Sequence, residues 1–275
     1  MSLARALRAA GQPVRTVSAR TGLPQLVRSL DSAESSIVFL TVPDSVVPGV
    51  AAKLASFGAA IPDTVAFVHA SGALELGALA SLAERHPVGS FHPLRSFPEP
   101  GPPERFRDIV IAVDASSPSL LRVLKRLARD LGARPRRVDD SQRALYHAAA
   151  VFASNYVVAL LGVAVGLLEQ LGWTENEAVQ GLSPLAEGAV ANVARRGPIP
   201  ALTGPIRRGD AETVRRHLDA LAQGARGARR IDLYRMLGEV ALEIAELAGL
   251  EPEAAEQTRR ALTRKVAATR RRSRR

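Results

Sequence analysis

The amino-acid sequence predicts an α/β fold followed by an all-helical region. Up to about Asp139, short apolar runs of strand length alternate with amphipathic stretches of helical spacing. One run, residues 36–42 (SIVFLTV), is uncharged and almost entirely apolar, which is typical of a parallel strand buried on both faces. Beyond Asp139 only helical patterns continue. The alternation predicts a doubly wound parallel sheet, with domains at residues 1–138 and 139–258 and a basic tail at 259–275.

Each element of the first region has its own local signal. A helix comes first and ends at Gly11, and Pro13 then precedes a short strand. Asp44 stands where a helix N-cap belongs, with apolar residues at helical spacing behind it. Residues 96–104, rich in Pro and Gly, predict an ordered loop between two strands. The predicted strands are residues 14–18, 36–42, 64–69, 88–91, 108–113 and 134–138, and the predicted helices are residues 3–10, 46–54, 74–85 and 117–131.

The second region is predicted to be a set of helices with short connections. Acceptor side chains at helix starts and a proline break divide it. The predicted helix starts are Asp140, Thr174 with Glu177 at capping-box spacing, Pro184 after a break at Ser183, Asp210, Ile231 and Glu253.

The stretch 148–168 carries no charge and is long enough to span a bilayer. It contains Ser154, Asn155 and Tyr156 in succession, and no second such segment follows. A helix buried on all sides, inside a domain or inside a dimer, is therefore favoured over a membrane span.

The net charge of +10 comes from one end of the chain. Residues 259–275 hold nine basic and no acidic side chains, and without them 28 basic residues stand against 27 acidic ones. This distribution predicts a solvated basic end rather than a specific nucleic-acid surface, although such an end attracts polyanions. The sequence has no Cys, which excludes disulfides and thiolate sites and fits a cytoplasmic location.

The start of the chain lacks a motif that this fold pattern normally carries. A dinucleotide-binding sheet opens with a strand followed by G-x-G-x-x-G, whereas residues 2–11 resemble the helix that comes after that loop. We expect either a protein that begins some tens of residues upstream or a chain that has lost its phosphate-binding loop, and we favour the first. The segment Ser18-Ala19-Arg20 has a base and no carboxylate where the ribose binds, which favours NADP over NAD; a surface turn explains it equally well.

Polar residues at the ends of predicted strands are the candidate site, because parallel strands bring their carboxyl ends to one edge. Ser71 could donate a hydrogen bond to a substrate, and His92 could act as a general acid near neutral pH. For Asp44, a role as a plain helix cap is favoured over a role in the site. On the long helix, Arg143 and His147 share one stripe with Ser154. The predicted catalytic residues are Ser71, His92, His147 and Asn155; the predicted substrate-binding residues are Ser154 and Thr203; the predicted cofactor-binding residues are Ser18, Arg20, Val42, Pro43, Asp44 and His69.

Five segments of the sequence resemble a known family. They are residues 40–44 (LTVPD), 69–73 (HASGA), 90–97 (SFHPLRSF), 146–150 (YHAAA) with 154–156 (SNY), and 202–206 (LTGPI) with 208–210 (RGD) and His217. In these segments the chain resembles the Rossmann-like family whose helical half is catalogued as domain of unknown function 2520. The family is similar in layout to pyrroline-5-carboxylate reductase and ketopantoate reductase. The resemblance implies an NADP-type reductase fold with a helical dimerisation domain like the C-terminal domain of 6-phosphogluconate dehydrogenase.

The residues and the resemblance together predict an NADP-dependent oxidoreductase that transfers hydride to a C=O or C=N group of a small substrate. The alternative is a non-catalytic ligand-binding or scaffold protein that keeps the fold without the phosphate-binding loop. No metal site is predicted, because the five His residues lack ligand spacing and no carboxylate cluster accompanies them.

Overall fold

The computed structural model describes residues 2–30, 35–223 and 227–266. The chain forms two compact units, Met1–Val157 and Val158–Arg275. The division between them lies later along the chain than the change of sequence pattern near Asp139.

The first unit contains a five-stranded sheet. In spatial as well as sequence order its strands are β1 (Ile37–Leu40), β2 (Ala66–His69), β3 (Val88–Pro93), β4 (Val110–Ala115) and β5 (Arg134–Arg137). The predicted strands at 36–42, 64–69, 88–91, 108–113 and 134–138 are thereby confirmed.

The sheet is parallel only in part. β1, β2 and β3 run parallel, but β4 runs antiparallel to β3, and β5 then runs parallel to β4. The predicted parallel sheet is thus confirmed for three of its four strand pairs, and the β3–β4 pair is the exception. The Pro-rich connection between these strands holds a 3₁₀ turn, Pro103–Phe106, instead of a crossover helix. Without a crossover, the chain re-enters the sheet from the end at which it left.

Two other predictions for the first region need correction. Residues 14–18 are irregular, because in the part of the chain that the structure describes no strand pairs with them. The helix predicted at 74–85 is shorter and consists of a 3₁₀ turn, Leu76–Leu79, followed by α4 (Ala80–Ala83). Gly77 lies inside that turn, and glycine is a weak helix former.

Helices cover both faces of the sheet. On β2, Phe67 and Val68 belong to different apolar clusters, because successive strand residues point to opposite faces. The other helices of the unit are α1 (Ser2–Ala9), α2 (Leu23–Arg28), α3 (Val47–Ala55), α5 (Pro118–Asp130) and α6 (Asp140–Ala153). Leu3 and Leu7 of α1 share their cluster with α5, whereas α2 and α3 contribute to the opposite cluster.

The second unit is helical. It consists of most of α7 (Asn155–Leu168) followed by α8 (Glu175–Arg196), α9 (Pro198–Ala201), α10 (Ala211–Leu221), α11 (Gly227–Leu247) and α12 (Pro252–Thr263). The predicted capping box of Thr174 and Glu177 is confirmed, as is the cap by Asp210, whose carboxylate accepts a hydrogen bond from the amide of Thr213. Val214 and Leu218 of α10 are fully buried in the core of this unit.

Several helix boundaries differ from the prediction, and α11 begins at Gly227 rather than at Ile231. The helix expected at 140–168 is divided at Ser154, where φ is −130° and ψ is −71°, into α6 and α7. Pro184 does not end a helix, because α8 is well capped and continues past the one amide that proline removes. The predicted tail is helical up to Thr263, with Arg259 bound to Glu246. Residues 267–275 lie outside the described part.

Helix α7 has an apolar surface that the described residues leave uncovered. None of its residues is buried. The stretch Asp140–Leu171, which contains it, includes an 18-residue window with a mean hydropathy of 2.1, and it is long and apolar enough to cross a membrane. The prediction that this helix is buried inside its own domain is wrong, whereas burial inside a dimer stays a prediction.

The close packing of β3 against α5 gives a direct test of the fold. A Cβ added at Gly89 would lie 2.9 Å from the backbone oxygen of Asp114 and 3.1 Å from Leu124 of α5. We expect Gly89→Ala to lower the free energy of unfolding by about 1–3 kcal/mol, measured by urea denaturation. The control is Gly49→Ala in α3, where a Cβ meets no atom within 4 Å and should stabilise by about 0.5–1 kcal/mol. An unchanged urea midpoint for Gly89→Ala would show that the packing is looser than described.

Candidate active site

A pocket of about 400 Å³ lies at the carboxyl edge of the parallel strands. Thr41 follows β1, Ala70 follows β2 and His92 lies near the end of β3, and all three line the pocket. Ser2 and Leu3 at the start of α1 line it as well. Open α/β sheets bind their ligands at this edge, so the fold places the pocket where a substrate or cofactor is expected.

His92 is held on two sides. Its Nδ1 lies 2.8 Å from the phenolic oxygen of Tyr146 on α6, and the two rings meet edge to face. On the other side the ring lies against Gly72, where a Cβ would come within 2.8 Å of the imidazole Cε1 and Nε2 atoms. Position 72 therefore has to be glycine as long as His92 keeps this position.

His92 is neutral at pH 7. Burial, the neighbouring His147 and the positive charge of Arg143 together lower its pKa to about 4, against the opposite effect of the Asp44 carboxylate. In this state the imidazole has one protonated nitrogen and one free lone pair. It can donate a hydrogen bond to a ligand, but it is not an imidazolium in the resting protein.

Ser71 and Asp44 form a second hydrogen-bonded pair. The Ser71 hydroxyl donates to Asp44 Oδ2 over 2.6 Å, and its oxygen accepts the amides of Ala73 and Leu74. All hydrogen-bonding positions of this hydroxyl are therefore used inside the protein. The interpretation of Asp44 as a helix cap is wrong, because its carboxylate binds Ser71 and the preceding Pro43 occupies the cap position.

Arg143 is the residue that the sequence analysis left out of the predicted site. It is fully buried, and its Nη2 donates to Ser90 Oγ over 2.6 Å and to the Val138 carbonyl over 3.1 Å. The nearest carboxylate oxygen is Asp140 Oδ1, 3.7 Å from Nε. That carboxylate also accepts the amide of Leu76, at 3.0 and 3.2 Å from its two oxygens. The sequence contained a signal for the role of Arg143 in the site, since Arg143 shares a helix stripe with His147.

His69 and His147 complete a donor-rich cluster around Arg143. His69 is fully buried at the end of β2, and burial and the charge of Arg143 lower its pKa to about 4. Neither of its ring nitrogens has a well-aligned hydrogen-bond partner, although the nearby backbone of Glu75 favours its protonated form slightly. Among the described residues, Nδ1 of His147 and Nε and Nη1 of Arg143 are also buried without a hydrogen-bond partner.

The remaining predicted residues are placed differently. Val42 packs against an apolar cluster, and Thr41 lines the pocket in its stead. Ser154 and Asn155 are exposed at the break between α6 and α7, where the Ser154 hydroxyl lies 2.9 Å from the Ala150 carbonyl and from Asn155 Oδ1. Thr203 belongs to the second unit.

A second pocket, of about 490 Å³, lies in the segment that was predicted to bind the ribose of a dinucleotide. Arg15, Ser18 and Thr21 line it. Arg20, the base chosen from the sequence, is outside the lining, and its amide donates to Ser18 Oγ over 3.3 Å. Within the described ranges, no group of three or more His, Asp or Glu side chains could hold a metal ion.

Several solved structures share this fold. A protein from Bacteroides fragilis described as a "putative NADP oxidoreductase" is 20% identical, with 90% of this chain and 92% of that one covered and a TM-score of 0.61. A protein from Thermotoga maritima is 27% identical, with 83% of each chain covered and a TM-score of 0.57. Pyrroline carboxylate reductase from Plasmodium falciparum, solved with NADP bound, is 11% identical, with 95% and 94% covered and a TM-score of 0.51. No curated protein sequence matches this chain.

Two family models match the sequence. The model of a Rossmann-like domain matches residues 2–93, which contain α1, the three parallel strands and His92. The model described as Domain of unknown function (DUF2520) matches residues 109–266, more than half of the chain. The chain therefore belongs to the DUF2520 family, and the resemblance found in its sequence motifs is confirmed.

Proposed function

We propose that this protein is an NADP-dependent oxidoreductase that transfers hydride from NADPH to a C=O or C=N group of a small substrate. The observation that carries the proposal is the pocket at the carboxyl edge of β1–β3, with a neutral His92 in its wall. The fold shared with an NADP-bound reductase supports this assignment. The cytoplasmic location remains an expectation from the lack of cysteine.

The chain offers a fitting place for the 2′-phosphate of NADP. The pocket lined by Arg15, Ser18 and Thr21 combines a guanidinium group with two hydroxyl groups, and all three can donate hydrogen bonds to phosphate oxygens. The segment follows α1, as the ribose-binding segment of a dinucleotide fold does. We assign the phosphate contact to Arg15, because it lines this pocket and Arg20 does not.

The bound cofactor would supply the hydride, and the protein would hold the acceptor and stabilise the charge that develops on it. His92 can donate a hydrogen bond to the acceptor atom of the substrate from the pocket wall. The Ser71–Asp44 pair fixes the turn after β2 that carries Gly72, and Gly72 supports the His92 ring. Arg143 favours the neutral form of His92 and His69 through its positive charge.

A second copy of the chain is the partner that we propose for the second unit. Helix α8 has a single buried residue, Ala178, and α7 has none. Val158 is 71% exposed and Leu185 is 72% exposed, which is far more apolar surface than a stable monomer normally leaves to water. A homodimer that buries these helices removes this surface, and it explains the bilayer-like stretch Asp140–Leu171 without a membrane.

Cofactor titration tests the proposed activity. We expect NADPH to bind more tightly than NADH, and Arg15→Ala to weaken NADPH binding by about 10–100-fold with little effect on NADH, since one charge-assisted contact is lost. Binding is measured by calorimetry. Arg20→Ala is the matched control and should bind NADPH like the wild type; the opposite ranking of the two variants would assign the phosphate to Arg20. No binding at millimolar NADPH would refute the reductase and support the non-catalytic alternative.

The histidine cluster predicts how stability depends on pH. His69 has a pKa of about 4 in the folded protein, whereas the unfolded chain protonates near its ordinary value of 6.5. The folded state thus binds fewer protons between these values, so its stability is full above pH 6.5 and falls as the pH drops towards 4. Between pH 7 and pH 4.5, the free energy of unfolding should fall by about 2–3 kcal/mol less in His69→Leu than in the wild type, measured by urea denaturation at both pH values. An identical loss in both proteins would contradict the depressed pKa.

The proposed dimer predicts the effect of charge on α8. Val190 is 61% exposed and Val193 is 47% exposed, and residues three apart are neighbours on a helix surface. We expect the wild type to sediment as a dimer at micromolar concentration and the Val190→Glu/Val193→Glu variant as a monomer that keeps its helical circular dichroism. Val123→Glu on α5, 43% exposed in the first unit, is the control and should stay dimeric. If the wild type is monomeric and co-floats with lipid vesicles, the apolar surface binds a membrane and the dimer proposal is wrong.

A further inference from the structure

Tyr146 contacts the candidate site through a single polar interaction. It follows Arg143 by three residues on α6 and is partly buried, with its phenolic oxygen 2.8 Å from His92 Nδ1. In the described part of the chain, this is the only hydrogen bond of the phenol. Tyr146 belongs to the segment 146–150 (YHAAA), and its residue type and spacing alone predict no role for it.

The chemistry of the two groups decides which one donates. A phenol is a strong donor and a weak acceptor, whereas the unprotonated nitrogen of an imidazole is a strong acceptor. Burial raises the pKa of Tyr146 to about 12, against the opposing charge of Arg143, so the phenol keeps its proton at neutral pH and can donate a hydrogen bond. If Nδ1 were the donor instead, the phenolic hydrogen would be left without an acceptor among the described residues.

A hydrogen bond donated to Nδ1 determines which hydrogen the other ring nitrogen carries. With its lone pair on Nδ1 engaged, neutral His92 has to carry its own hydrogen on Nε2. Within the described ranges Nε2 has no hydrogen-bond partner, and it is not among the polar atoms that are fully buried without one. It is thus the polar atom of the His92 ring that remains open to a ligand in the pocket that His92 lines.

We propose that Tyr146 is a positioning residue, which holds His92 in the Nε2–H tautomer so that a neutral N–H donor faces the substrate. Only the identity of the ligand rests on the proposed reductase function; the tautomer does not. The proposal also narrows the substrate class. An N–H donor on a ring that already feels the positive charge of Arg143 stabilises negative charge. Negative charge develops on the oxygen of a carbonyl group when hydride arrives, and it does not develop on a cationic iminium. The substrate is accordingly an aldehyde or ketone.

The second unit supplies a matched control. There Nδ1 of His217 lies 2.9 Å from the phenolic oxygen of Tyr234, with ring centroids 5.8 Å apart and an interplanar angle of 89°. The His92–Tyr146 pair has almost the same geometry, at 2.8 Å, 5.7 Å and 87°. Removing the hydroxyl from Tyr234 therefore makes the same chemical change outside the proposed site.

The test uses the full chain, labelled with ¹⁵N-histidine, without cofactor or substrate. Long-range ¹H–¹⁵N spectra report which nitrogen of each neutral histidine is protonated, and a pH titration gives the pKa of His92. We expect Nε2 of His92 to carry the hydrogen in the wild type. In Tyr146→Phe, which keeps the ring and loses the donor to neutral Nδ1, the pKa of His92 should rise by about one pH unit. Tyr234→Phe should leave His92 unchanged.

Each other result overturns the proposal. Protonated Nδ1 in the wild type, or a His92 pKa that falls or stays the same in Tyr146→Phe, would show that Tyr146 does not donate to His92. A backbone amide spectrum that matches the wild type confirms that the variant is folded. Because no cofactor is present, these outcomes are independent of NADPH binding. With NADPH, carbonyl compounds should be reduced, with a lower kcat and similar KM in Tyr146→Phe; reduction confined to iminium compounds would refute the carbonyl assignment.

Discussion

The first unit depends on one buried charge. Arg143 has no exposed surface, and an isolated ion in a protein interior is strongly unfavourable unless partners replace its water. Its partners come from three separate places: Ser90 in β3, the carbonyl of Val138 after β5, and Asp140 one turn earlier on α6. The guanidinium thus ties the helix to the sheet, and its charge suppresses the protonation of the two histidines that end β2 and β3.

The sequence predicted those parts of the fold that have a local cause. Apolar runs predicted the strands β1 to β4, and side-chain caps such as Thr174 and Asp210 predicted helix starts, because each depends on residues a few positions apart. Residues 14–18 have the composition of a strand, yet a strand needs a neighbour, and none lies beside them in the described structure. The antiparallel direction of β4 depends on how the chain returns to the sheet, which periodicity does not record.

The site was predictable in position more than in chemistry. That polar strand ends meet at one edge follows from parallel topology, so Asp44, Ser71 and His92 were brought together as expected. Which group each side chain binds was not predictable, because Ser71 and Asp44 lie 27 residues apart and satisfy one another. Arg143 was overlooked because a basic residue near a helix start is usually solvated, and its burial is a property of the packed unit.

Gly72 and His92 occupy what is in effect one shared volume. A side chain at position 72 and an imidazole at position 92 exclude each other, since the nearest atoms would be only 2.8 Å apart. The residue at position 72 and the residue at position 92, twenty residues apart along the chain, therefore constrain each other sterically. A relative with a small residue at position 92 would have room for a side chain at position 72. The residues at these two positions can therefore distinguish relatives that have the imidazole from relatives that lack it.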